Sequence, residues 1–181
     1  MMSDFNNVSM KSYLEIKVPL KYNARWFVEL RNVLKEIPVK WQKGYFHITM
    51  AFIDETPKKL DLRPILEKYL TRFQAPRLTL DKLDVFEASN EYIVNLTSTN
   101  IPHDFHELTE AIRLDMKAVG CQIKYEFRLH VTLGKINNDD IMLSKLQNLV
   151  SSISLTPFTL KLTDVDCRVF RGKVIYETKL K

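Results

Sequence analysis

The chain has 181 residues, a formal net charge of +5 at pH 7 and a pI of about 9.1. This length suits one domain or two small lobes that share a core, and the moderate positive charge fits an anionic partner such as a nucleotide or RNA. No apolar run is long enough to span a membrane, and the polar first residues lack the apolar stretch of a signal peptide, so the sequence predicts a cytoplasmic protein without membrane partners. Cys121 and Cys167 are too few for a disulfide framework or a zinc site and predict buried, reduced thiols.

The first part of the chain predicts strands separated by two helices. Apolar and polar residues alternate before Pro19, which is typical of a strand. Asn23 is placed to cap the first helix, and Pro38 prevents its continuation. The last two strands form a hairpin around the polar turn at 88–91. The predicted strands cover 13–18, 44–52, 77–86 and 92–96, and the predicted helices cover 24–36 and 60–70.

The second part of the chain repeats this order of elements. It predicts a helix over 102–119 ended by Gly120, a strand over 127–136, a helix capped by Asn138 or Asp139, and a hairpin around Arg171. That last helix runs to about residue 150, and the two hairpin strands cover 158–170 and 173–180. We interpret the order as a weak internal duplication in one domain over 1–181, with half-repeats at about 12–98 and 91–181 that share the strand near 92–98.

Two segments 83 residues apart carry the same pattern, Phe46–Met50 and Leu129–Leu133. Each has a histidine and a threonine separated by one aliphatic residue. Because strand side chains alternate, the histidine and the threonine point to one face, and the aliphatic residues, together with Phe46 and Phe52 in the first strand, point to the other. We expect the aliphatic faces to pack under helices and the polar faces to line a cleft. The small residues that follow, Ala51 and Gly134, are expected to leave room for a ligand.

Two histidines suit a reaction in which one oxygen loses a proton while another gains one. A phosphodiester is the natural substrate, because one histidine can activate water while the other protonates the departing ribose oxygen. The two threonine hydroxyls can donate hydrogen bonds to the non-bridging phosphate oxygens. Such a site needs no cofactor, and no cluster of acidic residues and histidines has convincing metal-ligand spacing. Alternatively, each histidine is a half-buried structural residue that bonds to the backbone.

His47-Ile48-Thr49-Met50 and His130-Val131-Thr132-Leu133 resemble the two His-x-Thr/Ser-x motifs of the 2H phosphoesterase superfamily, which includes 2′-5′ RNA ligase-like proteins and cyclic nucleotide phosphodiesterases. The resemblance extends from about Tyr13 to Leu180. It implies an α+β, two-lobed fold with pseudo-twofold symmetry, in which antiparallel sheets form a central cleft and the helices lie outside. It also implies that His47 and His130 are the catalytic pair and that Thr49 and Thr132 hold the phosphate.

Three further residues are candidates for substrate binding. Tyr45 either stacks on a base or covers the cleft floor, and Arg128 is either a phosphate contact or a surface ion pair. Lys135 matches a basic residue that follows the second motif in some relatives. By strict alternation it lies on the wrong face, so a bulge would have to redirect it. Some relatives continue the first motif with a glycine that this chain lacks, which predicts a different loop and different substrate selection.

We therefore expect a metal-independent phosphodiesterase that acts on 2′,3′-cyclic phosphate or 2′-5′ bonds of RNA ends or nucleotides, in a reaction that is reversible as ligation. One alternative is a module that binds the same ligands without turnover, although loss of a histidine would be the expected mark of such a protein. Another is a scaffold or a different hydrolase in which the repeats are structural. The sequence leaves open the oligomeric state, the division of acid and base roles between the histidines, and the ribose oxygen that leaves.

Overall fold

The computed structural model describes residues 11–181, in which four helices and antiparallel strands confirm the predicted α+β class. The strands are β1 (Ser12–Val18), β2 (Lys40–Trp41), β3 (Phe46–Glu55), β4 (Arg77–Leu80), β5 (Lys82–Ala88), β6 (Glu91–Thr97), β7 (Gln122–Lys124), β8 (Val131–Asn137), β9 (Phe158–Lys161), β10 (Asp164–Val169) and β11 (Val174–Lys179). The helices are α1 (Arg25–Val33), α2 (Arg63–Leu70), α3 (His103–Ala118) and α4 (Leu143–Ser151).

The main sheet places the two motif strands side by side at its centre. Its order is β11-β10-β1-β3-β8-β6-β5, with β2 added to β8 and β7 added to β3, while β4 and β9 form a separate two-stranded sheet. The central strands β3 and β8 are joined through a single pair, Ile48 opposite Val131. These are the aliphatic residues between histidine and threonine in each motif, so the pairing brings the two polar faces together.

A β-bulge follows the first motif. Glu15 of β1 lies opposite Thr49, whereas its neighbour Leu14 lies opposite Ala51, so Met50 is an extra residue on β3. A bulge of this kind shifts the alternation of side chains beyond it. Phe52 consequently lines the cleft, and the prediction from simple alternation that Phe52 lies on the aliphatic face is wrong.

The second motif has the same irregularity. Asn95 of β6 lies opposite Thr132, and Val94 lies opposite Gly134, so Leu133 is the extra residue. The bulge brings Lys135 to the cleft, as the sequence required for a phosphate contact. Each motif strand thus has one extra residue directly after its threonine.

Gly134 does not leave room for a ligand, contrary to expectation. A Cβ at this position would lie 2.6 Å from Val39 Cγ1 and 3.0 Å from Trp41 Cε3. Trp41 belongs to β2, which pairs directly with Gly134. The glycine is therefore needed for the close approach of a short strand that sequence patterning missed. Ala51, at the matching place, borders the cleft but is only 1% exposed and belongs to the hydrophobic core.

The aliphatic faces of the motif strands pack into the core, as predicted. Ile48, Val131 and Leu133 are fully buried. They join one hydrophobic cluster with the inward faces of the helices. The buried helix residues include Phe27 and Leu30 of α1, Leu66 of α2, Phe105, Ile112 and Met116 of α3, and Leu146 of α4. The core thus supports the sheet from one side and leaves the histidine side free.

Several element boundaries differ from the predictions. The strands expected over 77–86 and 158–170 each divide in two, because β4 and β9 leave the main sheet to pair with each other. A hydrogen bond of 2.8 Å joins the Thr79 and Thr159 hydroxyls in this pair. The last helix begins at Leu143 with Met142 as its N-cap, so neither Asn138 nor Asp139 caps it, and the Asn138 side chain donates to Glu87 instead.

The predicted cap of α1 is wrong, whereas the predicted end of α3 and the predicted burial of the cysteines are confirmed. Asn23 does not cap α1, whose N-cap is Ala24. Gly120 follows α3 with a φ of +96°, a left-handed conformation that glycine adopts without a steric penalty, so that helix end is confirmed. Cys121 and Cys167 are buried and unpaired, as predicted. No helix within residues 11–181 is long and apolar enough to cross a membrane.

Candidate active site

The polar side of the two central strands lines a cleft with two adjoining parts. The larger part, of about 610 Å³, is lined by His130, and the smaller part, of about 430 Å³, is lined by His47. Thr49 and Thr132 line both parts and mark their junction. Volumes in this range suit a nucleotide-sized ligand. All seven residues selected from the sequence line the cleft, namely His47, His130, Thr49, Thr132, Tyr45, Arg128 and Lys135.

His130 lies immediately before β8, which begins at Val131 and not at residue 127 as predicted. Its Nδ1 is 2.9 Å from the carbonyl oxygen of Arg128. A carbonyl can only accept, so Nδ1 carries the proton and Nε2 keeps a free lone pair. Burial lowers the pKa of His130, with a smaller contribution from the nearby charges of Arg128 and Lys135. The Phe86 ring contacts the imidazole edge-to-face, with centroids 5.0 Å apart.

His47 has a different environment. Its Nε2 lies 3.1 Å from Oε2 of Glu15, while its Nδ1 is buried without a hydrogen-bond partner. Burial lowers the pKa of His47 to about 4, and the positive charge of His130 acts in the same direction. We therefore interpret the contact at neutral pH as a hydrogen bond from a neutral imidazole to a carboxylate, in which Nδ1 carries no proton.

Glu15 belongs to a buried network on this side of the cleft. The carboxylate is only 2% exposed, its Oε1 accepts a hydrogen bond from the Tyr45 hydroxyl at 2.6 Å, and it forms an ion pair with Arg168, whose Nε lies 3.0 Å away. Arg168 also binds Asp166, which is equally buried and lies 3.5 Å from Lys17 Nζ. Burial raises the pKa of Glu15, and the charge of Asp166 adds to this effect. Burial opposes ionisation of Asp166, but Arg168 holds its pKa below the usual value.

The second half of the site lacks this network. Asn95 lies opposite Thr132, as Glu15 lies opposite Thr49. The Asn95 amide donates to two backbone carbonyl groups, and its hydrogen bonds do not include His130. A neutral side chain therefore occupies the place of the carboxylate, and the two histidines are chemically unequal.

The three candidate binding residues differ in their availability. Tyr45 donates its hydroxyl to Glu15, and burial and this contact raise its pKa, which keeps the phenol protonated. The Arg128 guanidinium lies over the Phe86 ring at 3.8 Å and is about half exposed. Lys135 Nζ lies 3.7 Å from Glu91, with the side chain 48% exposed. Arg128 and Lys135 can thus turn towards an anion, whereas Tyr45 is already engaged.

The sequence reasoning missed Glu15 and Arg168. Alternation in β1 placed Glu15 on a polar face, but the sequence did not show that β1 and β10 flank the first motif strand. Within residues 11–181, no group of three or more His, Cys, Asp or Glu side chains that could hold a metal ion occurs.

Solved structures share this fold at low sequence identity. Apo LigT of E. coli is 18% identical, with a TM-score of 0.55, and the match covers 96% of this chain and 95% of that one. Usb1 of Kluyveromyces marxianus is 12% identical, with a TM-score of 0.63 and coverage of 95% and 99%. A structure described as a phosphoesterase is 18% identical, with a TM-score of 0.54 and coverage of 95% and 96%. A comparison with curated proteins gives no match.

The fold is therefore the one shared by LigT and Usb1, and the family resemblance predicted from the two motifs is confirmed by a family model. A family model described as the 2′-5′ RNA ligase superfamily matches residues 29–173, and the chain belongs to this family.

Proposed function

We propose that the protein is a metal-independent phosphodiesterase that opens 2′,3′-cyclic phosphates or cleaves 2′-5′ bonds at RNA ends or in nucleotides. The observation that carries the proposal is the cleft of the two adjacent strands, in which both His-x-Thr pairs converge. Family membership supports a role in RNA-end processing. The same site acting in reverse would join a hydroxyl to a cyclic phosphate, limited by the equilibrium between the two.

His130 is the general base in this mechanism. Its Nδ1–H is held by the Arg128 carbonyl, so the neutral ring presents a basic Nε2. Nε2 takes a proton from water, the water oxygen bonds to phosphorus, and one bond from phosphorus to a ribose oxygen breaks. His47, protonated in the substrate complex, donates its proton to that departing oxygen. The negative phosphate and the Glu15 carboxylate both favour the charged form of His47.

The phosphate is held by the residues at the junction of the cleft. Thr49 and Thr132 donate hydroxyl protons to the non-bridging oxygens, where negative charge increases in the transition state. Lys135 lines both parts of the cleft and neutralises this charge. Arg128 reaches the ligand from the His130 side. Lys135 therefore lies at the junction of the two parts, and Arg128 lies in the His130 part alone.

Relatives with nucleotides bound support the substrate class. Structures of E. coli LigT complexed with 3′-AMP and of K. marxianus Usb1 with uridine monophosphate have TM-scores of 0.51 and 0.62 to this chain. A nucleotide matches the size of the cleft, and the ribose supplies the neighbouring oxygen that a cyclic phosphate requires.

The proposal is tested by turnover of nucleoside 2′,3′-cyclic phosphates and a short 2′-5′-linked RNA in EDTA. We expect hydrolysis that persists in EDTA and falls at least about 100-fold in His47→Ala and in His130→Ala. His103→Ala is the matched control, because His103 is 80% exposed on α3 and lies outside the cleft lining. The position of the product phosphate identifies the leaving oxygen.

Activity that survives in both variants would contradict the paired-histidine mechanism, and activity abolished by EDTA would contradict its independence of metal. Nucleotide binding without turnover would instead assign the protein to the class of binding modules.

A further inference from the structure

We propose that four aromatic side chains beside the cleft bind the bases of a single-stranded RNA whose end enters the catalytic site. The aromatic belt consists of Phe170, Tyr13, Phe52 and Tyr125. The proposal deepens the proposed function, on which it rests, by naming an RNA strand of several nucleotides rather than a mononucleotide as the preferred substrate.

The four rings form an unbroken series across neighbouring elements. The centroid of Phe170, in the turn after β10, lies 5.8 Å from that of Tyr13 on β1. Tyr13 lies 4.9 Å from Phe52 on β3, and Phe52 lies 6.0 Å from Tyr125 in the segment between β7 and β8. Neighbouring rings are inclined by 51° to 67°, so they do not cover one another as parallel stacks would.

The belt is continuous with the site and open to solvent at its ends. Tyr13 lines both parts of the cleft, and Phe52 and Tyr125 line the part that holds His130. Tyr125 is 63% exposed and Phe170 is 48% exposed. An RNA chain that leaves the histidines in either direction therefore meets an exposed aromatic ring.

Tyr125 is held in place by a buried cation. Its φ is +64°, a left-handed conformation that is uncommon for a bulky residue and carries strain. Arg113, only 4% exposed, donates to the Tyr125 carbonyl at 2.5 Å and to the Met50 carbonyl of the first bulge at 3.2 Å. A buried guanidinium thus links the strained backbone of an exposed tyrosine to the motif strand. This arrangement fixes the backbone that carries the ring and leaves most of the ring exposed.

The charges beside the belt favour a nucleic acid over an apolar peptide. Lys124 Nζ lies 5.1 Å from the centroid of Tyr125, and the Arg171 guanidinium lies 5.1 Å from that of Phe170. Each exposed end of the belt therefore pairs a ring with a cation. Bases alternate with phosphates in RNA, and proteins that bind single strands combine stacking with positive charge in the same way.

The experiment compares a nucleoside 2′,3′-cyclic phosphate with a hexanucleotide that ends in the same group. We expect the wild-type kcat/KM to be at least about tenfold higher for the hexanucleotide, the range of one or two stacked bases. Tyr125→Ala should remove about tenfold of that advantage, so that kcat/KM for the hexanucleotide falls about tenfold more than kcat/KM for the mononucleotide. Tyr125→Phe should retain the advantage, because the ring rather than the hydroxyl stacks. Leu114→Ala, which truncates a side chain 62% exposed on α3, is the control for surface truncation.

Equal turnover of both substrates by the wild type, or equal losses on both in Tyr125→Ala, would overturn the belt and leave the proposed function intact. If no substrate is turned over, the proposed function fails and the belt is tested by fluorescence anisotropy with a labelled hexanucleotide. Binding weakened about tenfold by Tyr125→Ala would then support the belt. Unchanged binding, or no binding by the wild type, would overturn it.

Discussion

Replacing Glu15 by glutamine tests whether the buried carboxylate prepares His47 for proton transfer. The amide has the same shape, and its oxygen can still accept from the Tyr45 hydroxyl and lie beside Arg168, which both contact Oε1. Its NH₂ group then faces His47 Nε2, which also carries a proton. His47 must lose this contact or move its proton to Nδ1, which is buried without an acceptor. In both cases a protonated His47 no longer has the Glu15 carboxylate as its negatively charged partner.

The size of the effect follows from the contact that is lost. A hydrogen bond to a charged group contributes about 1.5–3 kcal/mol, which corresponds to about a 10- to 150-fold change in an equilibrium or rate. We expect kcat for a cyclic phosphate to fall within this range in Glu15→Gln. The variant lacks the opposite charge that favours protonated His47, so the pKa of His47 falls further. If His47 is the acid, the decline of kcat at high pH therefore moves to lower pH.

The assay is the pH profile of kcat for Glu15→Gln, with urea unfolding at neutral pH to verify the fold. Asp115→Asn is the matched control, because it also replaces a carboxylate by an amide but lies on the surface of α3 with Lys68 and Tyr69. A kcat for Glu15→Gln within about twofold of the wild type across the profile would refute the role of Glu15.

Two further predictions test the electrostatics and the packing of the motif strands. In an NMR titration of imidazole protons, assigned with His47→Gln and His130→Gln, both cleft histidines should titrate below 6.5, with the pKa of His47 at about 4. Folded His47 then binds fewer protons than the unfolded chain between these values, so its effect is to lower stability as pH falls through that window. A His47 signal at or above 6.5 would instead indicate an ion pair with Glu15. Gly134→Ala places a methyl 2.6 Å from Val39 Cγ1, so the free energy of unfolding in urea should fall by about 1–3 kcal/mol. An unchanged free energy of unfolding would show that Val39 and Trp41 move aside without loss of stability.

The sequence predicted the order of long elements and the residues that meet in the cleft. The apolar periodicity of α3 and the alternation in β1 are local properties, and local patterns are sufficient to recognise them. The repeated motif made His47 and His130 candidates for one site. The aliphatic residues between histidine and threonine then meet at the centre of the sheet, where Ile48 lies opposite Val131.

Sequence patterns could not predict the features that depend on pairing between distant strands. The short strands β2 and β7 have too few residues for a periodic signal, and they pair with the parts of β8 and β3 that extend beyond the single Ile48–Val131 pair. The bulges arise from the register of β1 against β3 and of β6 against β8. Simple alternation therefore placed Phe52 on the wrong face. It also placed Lys135 away from the cleft unless a bulge redirected it, and the sequence did not show where that bulge lies.

The same bulges explain how matching strands can form an asymmetric site. Phe52 and Lys135 occupy equivalent places, three residues after Thr49 and Thr132, and both turn towards the cleft. One contributes an aromatic surface and the other a positive charge. The residue opposite Thr49 is Glu15, a carboxylate, whereas the residue opposite Thr132 is Asn95, a neutral amide. A phosphodiester is itself asymmetric, with an attacked side and a leaving side. If the duplication supplied two similar half-sites, differences at these paired positions are what would allow one histidine to act as base and the other as acid.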